Sequence, residues 1–365
     1  MADINRLGLG TMGMHFGNRE KSVKTIHAAL DAGISLLNTG EFYCGSESEM
    51  VTGEALRGVD RDKYFLSVKF GVLPAPGGGI YGLDVKPFNV KGHLAYSLRR
   101  LGLEYVDLYQ PARQDTAVPV EELVEAIAEQ VKAGYVKHIG LSMVDAQTLR
   151  RACKVHPIHT VEMEYSLIER GIETELIAAA KELGVKVLAF GTVGHGLLTE
   201  RVFDSASDPR LSRGALAPEH KDENLKMLRA FKNIADEKGV SMSQLALAWS
   251  LAKYDNVQSL IGTSNPEHLQ ASVNAMRIEL SEADISAVEA AVPADKIGGK
   301  GMRNFVFTNG QMALAKKKGV CFSDKSIYID QNGDTAVIPK KILESFLIRN
   351  HNKDTALLSS LYNLK

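Results

Sequence analysis

The chain has 365 residues, 45% hydrophobic and 24% charged, with a formal net charge of -1. That composition supports a sizeable core, and the near-zero charge gives no positive field to recruit nucleic acid or an anionic membrane surface. The three cysteines, Cys44, Cys153 and Cys321, have neither disulfide-framework nor metal-ligand spacing, so a reducing, cytoplasmic setting with no bound metal is expected. No apolar run marks a signal peptide at the N-terminus, and none approaches the ~20 residues of a membrane helix.

Leu7–Met12 is the first short β-rich run. Its Gly8, Gly10 and Gly13 have G-x-G-x-x-G spacing, but the second strand ends in Asn38, not in the acidic residue of a dinucleotide fingerprint, so the glycines are expected to form a tight turn. An amphipathic stretch follows, with Val23, Ile26, Ala29 and Leu30 on one face and Gly33 where a left-handed cap would sit. Further strands are expected over Ile34–Asn38, Tyr64–Phe70, Val106–Gln110 and His138–Ser142, then over Val161–Ser166, Val185–Phe190 and Val257–Gly262. Helical faces lie between them, such as Leu123, Ile127 and Val131 before Gly134, and Ile177, Ala180 and Leu183 before Gly184. After the eighth strand, Asn265 and Pro266 are suited to cap and open a helix.

Eight strands alternating with helices point to a parallel α/β sheet, and the count favours a closed (β/α)8 TIM barrel over an open doubly wound sheet. The barrel is expected over 1–310 and an extension over 311–365. In the extension, Asn332-Gly333 between two β-rich runs predicts a hairpin, and Pro339 opens an amphipathic helix. Add-on, lid and dimerisation roles all stay open for it, as does a homo-oligomer.

Chemistry in such a barrel sits at the C-terminal ends of the strands. There the run Leu36-Leu37-Asn38-Thr39-Gly40-Glu41-Phe42-Tyr43, followed by Glu49, resembles the signature of the aldo-keto reductases. Ser67-Val68-Lys69-Phe70 is similar to the family's lysine strand, and Gly140-Leu141-Ser142, Glu164-Tyr165-Ser166-Leu167 and Gly196-Leu197-Leu198 match further landmarks in order. The stretch from Asp107 to Arg113 resembles a bacterial and fungal subgroup with Pro-Ala-Arg where the catalytic histidine usually lies. The likeness spans roughly residues 5–308.

The resemblance implies hydride transfer from a nicotinamide cofactor to a small aldehyde or ketone. In this sequence it makes Tyr43 the proton donor and Lys69 the cation that lowers the tyrosine's proton affinity. Asn38 stands where the family has an aspartate, so it is expected to hold Lys69 by a hydrogen bond and leave its charge less neutralised. On that expectation, Asn38→Asp should strengthen the enzyme. Ala112 stands at the histidine position and can donate nothing; Arg113 is either a substitute donor or a structural ion-pair residue. On the cofactor side the resemblance assigns Gly10, Thr11 and Met12 in the first loop, Ser142 and Glu162 at the nicotinamide amide, and Phe190 and Gly191 at the ring. Met143 replaces the usual asparagine partner of Ser142, and Glu162 replaces a glutamine. Gly262, Thr263, Ser264, Asn265 and His268 are assigned to phosphate contacts at a helix N-terminus. NADP is the expected cofactor, but no Arg or Lys follows through Asn274, so NAD stays open. Redox chemistry at Cys44 and a cofactor or substrate contact at His195 are minor readings. Asn38, Ala112, Met143 and Glu162 also admit a rival, a nucleotide-binding barrel with little turnover that acts as a sensor or regulatory partner. A third reading keeps Tyr43 and Lys69 for proton abstraction beside a carbonyl.

Overall fold

The apolar, β-branched runs become strands because each must be buried on both faces, against the barrel interior and against a covering helix. In a computed structural model of the protein, which describes residues 6–76, 79–204, 214–299 and 305–314, all eight form. They are β1 (Leu7–Gly10), β2 (Leu36–Gly40), β3 (Phe65–Phe70), β6 (Val106–Pro111), β7 (Val136–Ser142), β8 (Ile158–Glu164), β9 (Lys186–Phe190) and β10 (Val257–Gly262). All pair in parallel and close in the order β1-β10-β9-β8-β7-β6-β3-β2. Closure excludes the open sheet and establishes the (β/α)8 TIM barrel. The strand-covering helices are capped by side chains: Asn265, as expected, accepts from the Glu267 amide at 3.1 Å with Pro266 following, and Asp145, not singled out from the sequence, accepts from the Thr148 amide at 2.7 Å.

The glycine pattern of β1 is only partly a turn. Gly13 lies in the turn, whereas Gly8 is inside the barrel wall, where an added Cβ would come within 2.7 Å of the Leu36 side chain. Close packing, rather than a phosphate cradle or a reversal, requires that glycine.

A second sheet was not expected from the sequence. Short strands β4 (Val72–Pro74), β5 (Ile80–Leu83), β11 (Phe305–Thr308) and β12 (Gln311–Leu314) form an antiparallel sheet in the order β11-β12-β5-β4. Asp115, in the loop after β6, fixes the turn between β11 and β12 by accepting from the amides of Asn309 (3.0 Å) and Gly310 (2.5 Å). The boundary expected at 310/311 falls inside this hairpin. The hairpin and helix expected around Asn332-Gly333 and Pro339 lie outside the described residues. No helix among the described residues is long and apolar enough to cross a membrane.

Candidate active site

Parallel strands aim their C-terminal ends at one rim, and five of them put a polar side chain in the centre. Asn38 comes from β2, Lys69 from β3, Gln110 from β6, Ser142 from β7 and Glu162 from β8; all five are at most 3% exposed. Barrel register aligns them: Lys69 pairs with Gln110 across β3–β6, and Ser142 with Glu162 across β7–β8.

Burying an ammonium is tolerable only with a counter-charge and satisfied hydrogen bonds. Lys69 has both. Its Nζ donates to Asn38 Oδ1 and lies 3.0 Å from Glu162 Oε1 and 3.2 Å from Oε2. Glu162 Oε2 also accepts from Asn38 Nδ2 at 2.8 Å and from Gln110 Nε2 at 2.6 Å. Asn38 therefore accepts from Lys69, and the lysine's charge is not left less neutralised, because Glu162 faces it. The Glu162 carboxylate also takes donors from Asn38 and Gln110, contacts that the cofactor assignment did not include. The exchange is reciprocal: the sequence has an amide where the resemblance predicts a carboxylate, at 38, and a carboxylate where it predicts an amide, at 162.

Tyr43 approaches this cluster from the loop after β2. The Glu41 amide donates to the Lys69 carbonyl at 2.9 Å, which ties the loop to the lysine's own strand. The Glu41 side chain, buried, accepts from the Gly71 amide at 2.6 Å and from His93 Nδ1 at 3.0 Å. Cys44, Gly45 and Ser46 then all adopt positive φ (50°, 65° and 77°), a costly reversal for the two non-glycines, placed directly after the tyrosine. With the loop so held, the Tyr43 ring centroid is 5.2 Å from Lys69 Nζ. Burial pushes the phenol above its ordinary pKa; Lys69 opposes that shift and Glu162 adds to it. For Lys69, burial disfavours the charge, but Glu162 and then Tyr43 outweigh it, and the ammonium is held above its ordinary value. Glu162 and the Asn38 side-chain oxygen thus favour the ammonium form of this buried lysine.

The remaining assigned residues fall into two groups. Ser142 is 1% exposed and its hydroxyl has no hydrogen-bond partner among the described residues. Such a buried orphan is a fit for an incoming amide or hydroxyl. Phe190 is half-buried against Leu36, Leu188 and Leu260, and Gly191 follows at φ 71°. Thr11 is fully buried with its hydroxyl 2.8 Å from that of Ser48, while Met12 is exposed and Gly10 pairs with Gly262. Thr263 Oγ1 accepts from the Asn265 amide at 3.0 Å, Ser264 lies at the rim near Asn18, and His268 is exposed.

Other positions acquire specific partners. Met143 holds φ 54°, a conformation asparagine adopts more easily, and its sulfur accepts from the Glu164 amide at 3.4 Å. His195, also at positive φ, lies with Nε2 2.9 Å from Glu164 Oε1. Arg113 is half-buried and donates to the Ala112 carbonyl at 2.6 Å, with its charge acting on Tyr43 in the same direction as that of Lys69. The Cys44 thiol donates to the Met12 carbonyl, and burial with nearby Glu47 pushes it above the ordinary thiol range, which disfavours the reactive thiolate. The sequence reading missed Gln110 as a Glu162 donor and Glu41 with His93 as the anchor of the tyrosine loop.

Known proteins bear on this geometry. Residues 6–293 match the aldo/keto reductase family. A probable aldo-keto reductase from Glycine max is 31% identical over 310 residues, covering 81% of this chain and 88% of the plant protein. Among solved structures, a glycerol dehydrogenase from Gluconobacter oxydans is similar with a TM-score of 0.72 at 25% identity, covering 78% of this chain and 90% of its own. An aldo/keto reductase from Klebsiella pneumoniae, solved with NADP and acetate, is similar with a TM-score of 0.62 at 26% identity, covering 79% and 91%.

Proposed function

The chain belongs to the aldo/keto reductase family, and from that premise we propose that it reduces a small aldehyde or ketone with NADP as cofactor and Tyr43 as proton donor. Family membership carries the coarser statement, an oxidoreductase that works with a nicotinamide nucleotide. The observation that carries the finer one is the placement of Tyr43 beside a charged, fully paired Lys69 at the catalytic rim of the barrel.

A bound reduced nicotinamide supplies the hydride that reaches the carbonyl carbon. Everything else falls to this chain. Tyr43 gives its phenolic proton to the carbonyl oxygen as negative charge develops there, and Lys69 stabilises the phenolate left behind. Ser142, with its orphaned hydroxyl, is the residue placed to bind the nicotinamide amide. The N-terminus of the helix Pro266–Ala275 is the candidate phosphate site. Binding of NADP to the Klebsiella relative supports NADP here.

Of the four residues that favour the sensor reading, Asn38 and Glu162 lose their weight, because together they complete the lysine's environment. Ala112 and Met143 keep theirs. The test is fluorescence titration with NADPH and NADH, followed by turnover on a panel of reactive aldehydes and ketones. The proposal expects tighter NADPH binding and measurable NADPH oxidation with at least one carbonyl. Ser142→Ala should weaken NADPH binding roughly fivefold, the value of one net hydrogen bond. Binding of NADPH with no oxidation across the panel would favour the sensor.

A further inference from the structure

Four strands meet at a single carboxylate. Asn38 on β2, Lys69 on β3 and Gln110 on β6 all donate to Glu162 on β8, at 2.8, 3.2 and 2.6 Å to Oε2, and Lys69 also reaches Oε1 at 3.0 Å. A carboxylate has about four lone-pair sites, so this one is almost saturated by the protein itself. We propose that Glu162 is the counter-ion of Lys69 and, through that lysine, a positioning residue that sets the proton affinity of Tyr43. The proposal rests on Tyr43 as proton donor.

Three features carry it. First, Asn38 is used in both senses: its oxygen accepts from Lys69 and its nitrogen donates to Glu162. An aspartate could do only the first and would face Glu162 as a second carboxylate at about the same 2.8 Å. The amide at 38 and the carboxylate at 162 therefore fit each other as a pair. Second, Asn38, Lys69, Gln110 and Glu162 are 2, 3, 0 and 3% exposed, so solvent cannot take the counter-ion's place. Third, the cluster's own cation, Lys69, is matched by its one carboxylate, Glu162; the half-buried Arg113 guanidinium adds a positive charge toward Tyr43 that is the same in every variant below.

Tyr43 and Lys69 are in contact and release protons as a coupled pair. Removing the carboxylate makes the site one unit more positive, and a proton departs from it at lower pH. Adding a second carboxylate at 38 makes it one unit more negative once both are ionised, and the proton is held to higher pH. Moving the carboxylate from 162 to 38 restores the wild-type charge. A residue that merely filled space would show no such sign pattern.

The experiment compares wild type, Glu162→Gln, Asn38→Asp and the double variant by two readouts. One is the pH dependence of carbonyl reduction at saturating NADPH. The other needs no turnover or nucleotide: tyrosinate absorbance of each protein minus that of the same protein carrying Tyr43→Phe. Glu162→Gln should move the midpoint of both curves down by at least about one pH unit, Asn38→Asp should move it up, and the double variant should return it to the wild-type position. Shifts of the same sign in the two single variants, no shift in Glu162→Gln, or a double variant that stays displaced would overturn the assignment. If Glu162→Gln does not fold, the upward shift of Asn38→Asp and its reversal in the double variant decide the matter. If no carbonyl is reduced, the proposed function fails, while the nucleotide-free titration still tests the counter-ion.

Discussion

Tyr43, half-buried, lies against a lysine whose counter-charge is a glutamate, whereas Tyr165, fully buried, lies against a glutamate whose counter-charges are an arginine and a lysine. Tyr165 donates its phenolic proton to Glu173 at 2.7 Å. That carboxylate also holds Arg170 (2.9 Å) and Lys253 (3.0 Å), and both cations continue to Glu289, which accepts from Trp249 Nε1 at 3.1 Å. Burial and then the bond to Glu173 push the Tyr165 phenol far above its ordinary range. At Tyr43 the order is inverted: the ammonium faces the phenol, and the carboxylate stands behind the ammonium. Both phenols are held above the ordinary range, but the nearest charge opposes that shift at Tyr43 and adds to it at Tyr165.

The largest effect expected from this contrast is on turnover. Tyr43→Phe should cut carbonyl reduction by roughly 10²–10⁴-fold with NADPH affinity preserved. Tyr165→Phe should leave turnover intact and cost about 1 kcal/mol of stability, one net hydrogen bond. NADPH oxidation and denaturant melts on both variants check this; equal losses of turnover would erase the distinction.

Next in size is the stability of the two clusters. Glu162→Leu strands a buried ammonium and should cost about 3–5 kcal/mol. Glu173→Leu should cost less, because Arg170 and Lys253 keep Glu289. Urea melts of the two variants decide; the opposite ranking would mean that the Lys69 cluster is not the more tightly coupled one.

A smaller effect is expected in alkali. Tyr43, Lys69 and Tyr165 all have raised pKa values in the folded state. A raised value means that the group's contribution is complete below its unfolded pKa, near ~10 for both residue types, and is lost as pH rises beyond it. Tm should therefore hold to about pH 9.5 and then fall, less steeply in Tyr165→Phe. A Tm independent of pH to 11 would contradict the directions given for all three.

The smallest is at the opposite end of the barrel. Burial, then His138 and Lys186, lower His159 to about 4. The unfolded chain then binds a proton below about 6.5 that the folded chain refuses, so stability declines from pH 6.5 toward 4. His159→Gln should flatten that decline in a Tm series; an unchanged slope would assign the acid sensitivity elsewhere.

Much of this was legible in the sequence. All eight barrel strands were, because each is a short apolar run between helical faces, and so were Tyr43 and Lys69, through their motifs. The second sheet was not: its strands are three or four residues long, interrupted by Gly82 and ended by Pro74, and they carry too little pattern to register. Glu162 was found, but its partners within the protein were not. The contact that explains it, with Asn38, joins residues 124 apart across the barrel interior, and a strand read alone shows no such neighbour. A signal was present nonetheless, since carboxylate and amide had changed places between two positions expected to carry the reverse.

The most direct test follows the two phenols in one protein. Tyrosine labelled with ¹³C at Cζ, assigned with Tyr43→Phe and Tyr165→Phe, reports the ionisation of each ring by NMR as pH is raised. The account predicts that Tyr43 becomes tyrosinate first and that Tyr165 stays protonated until the fold is lost. Ionisation of Tyr165 before Tyr43, or of both at one pH, would contradict it.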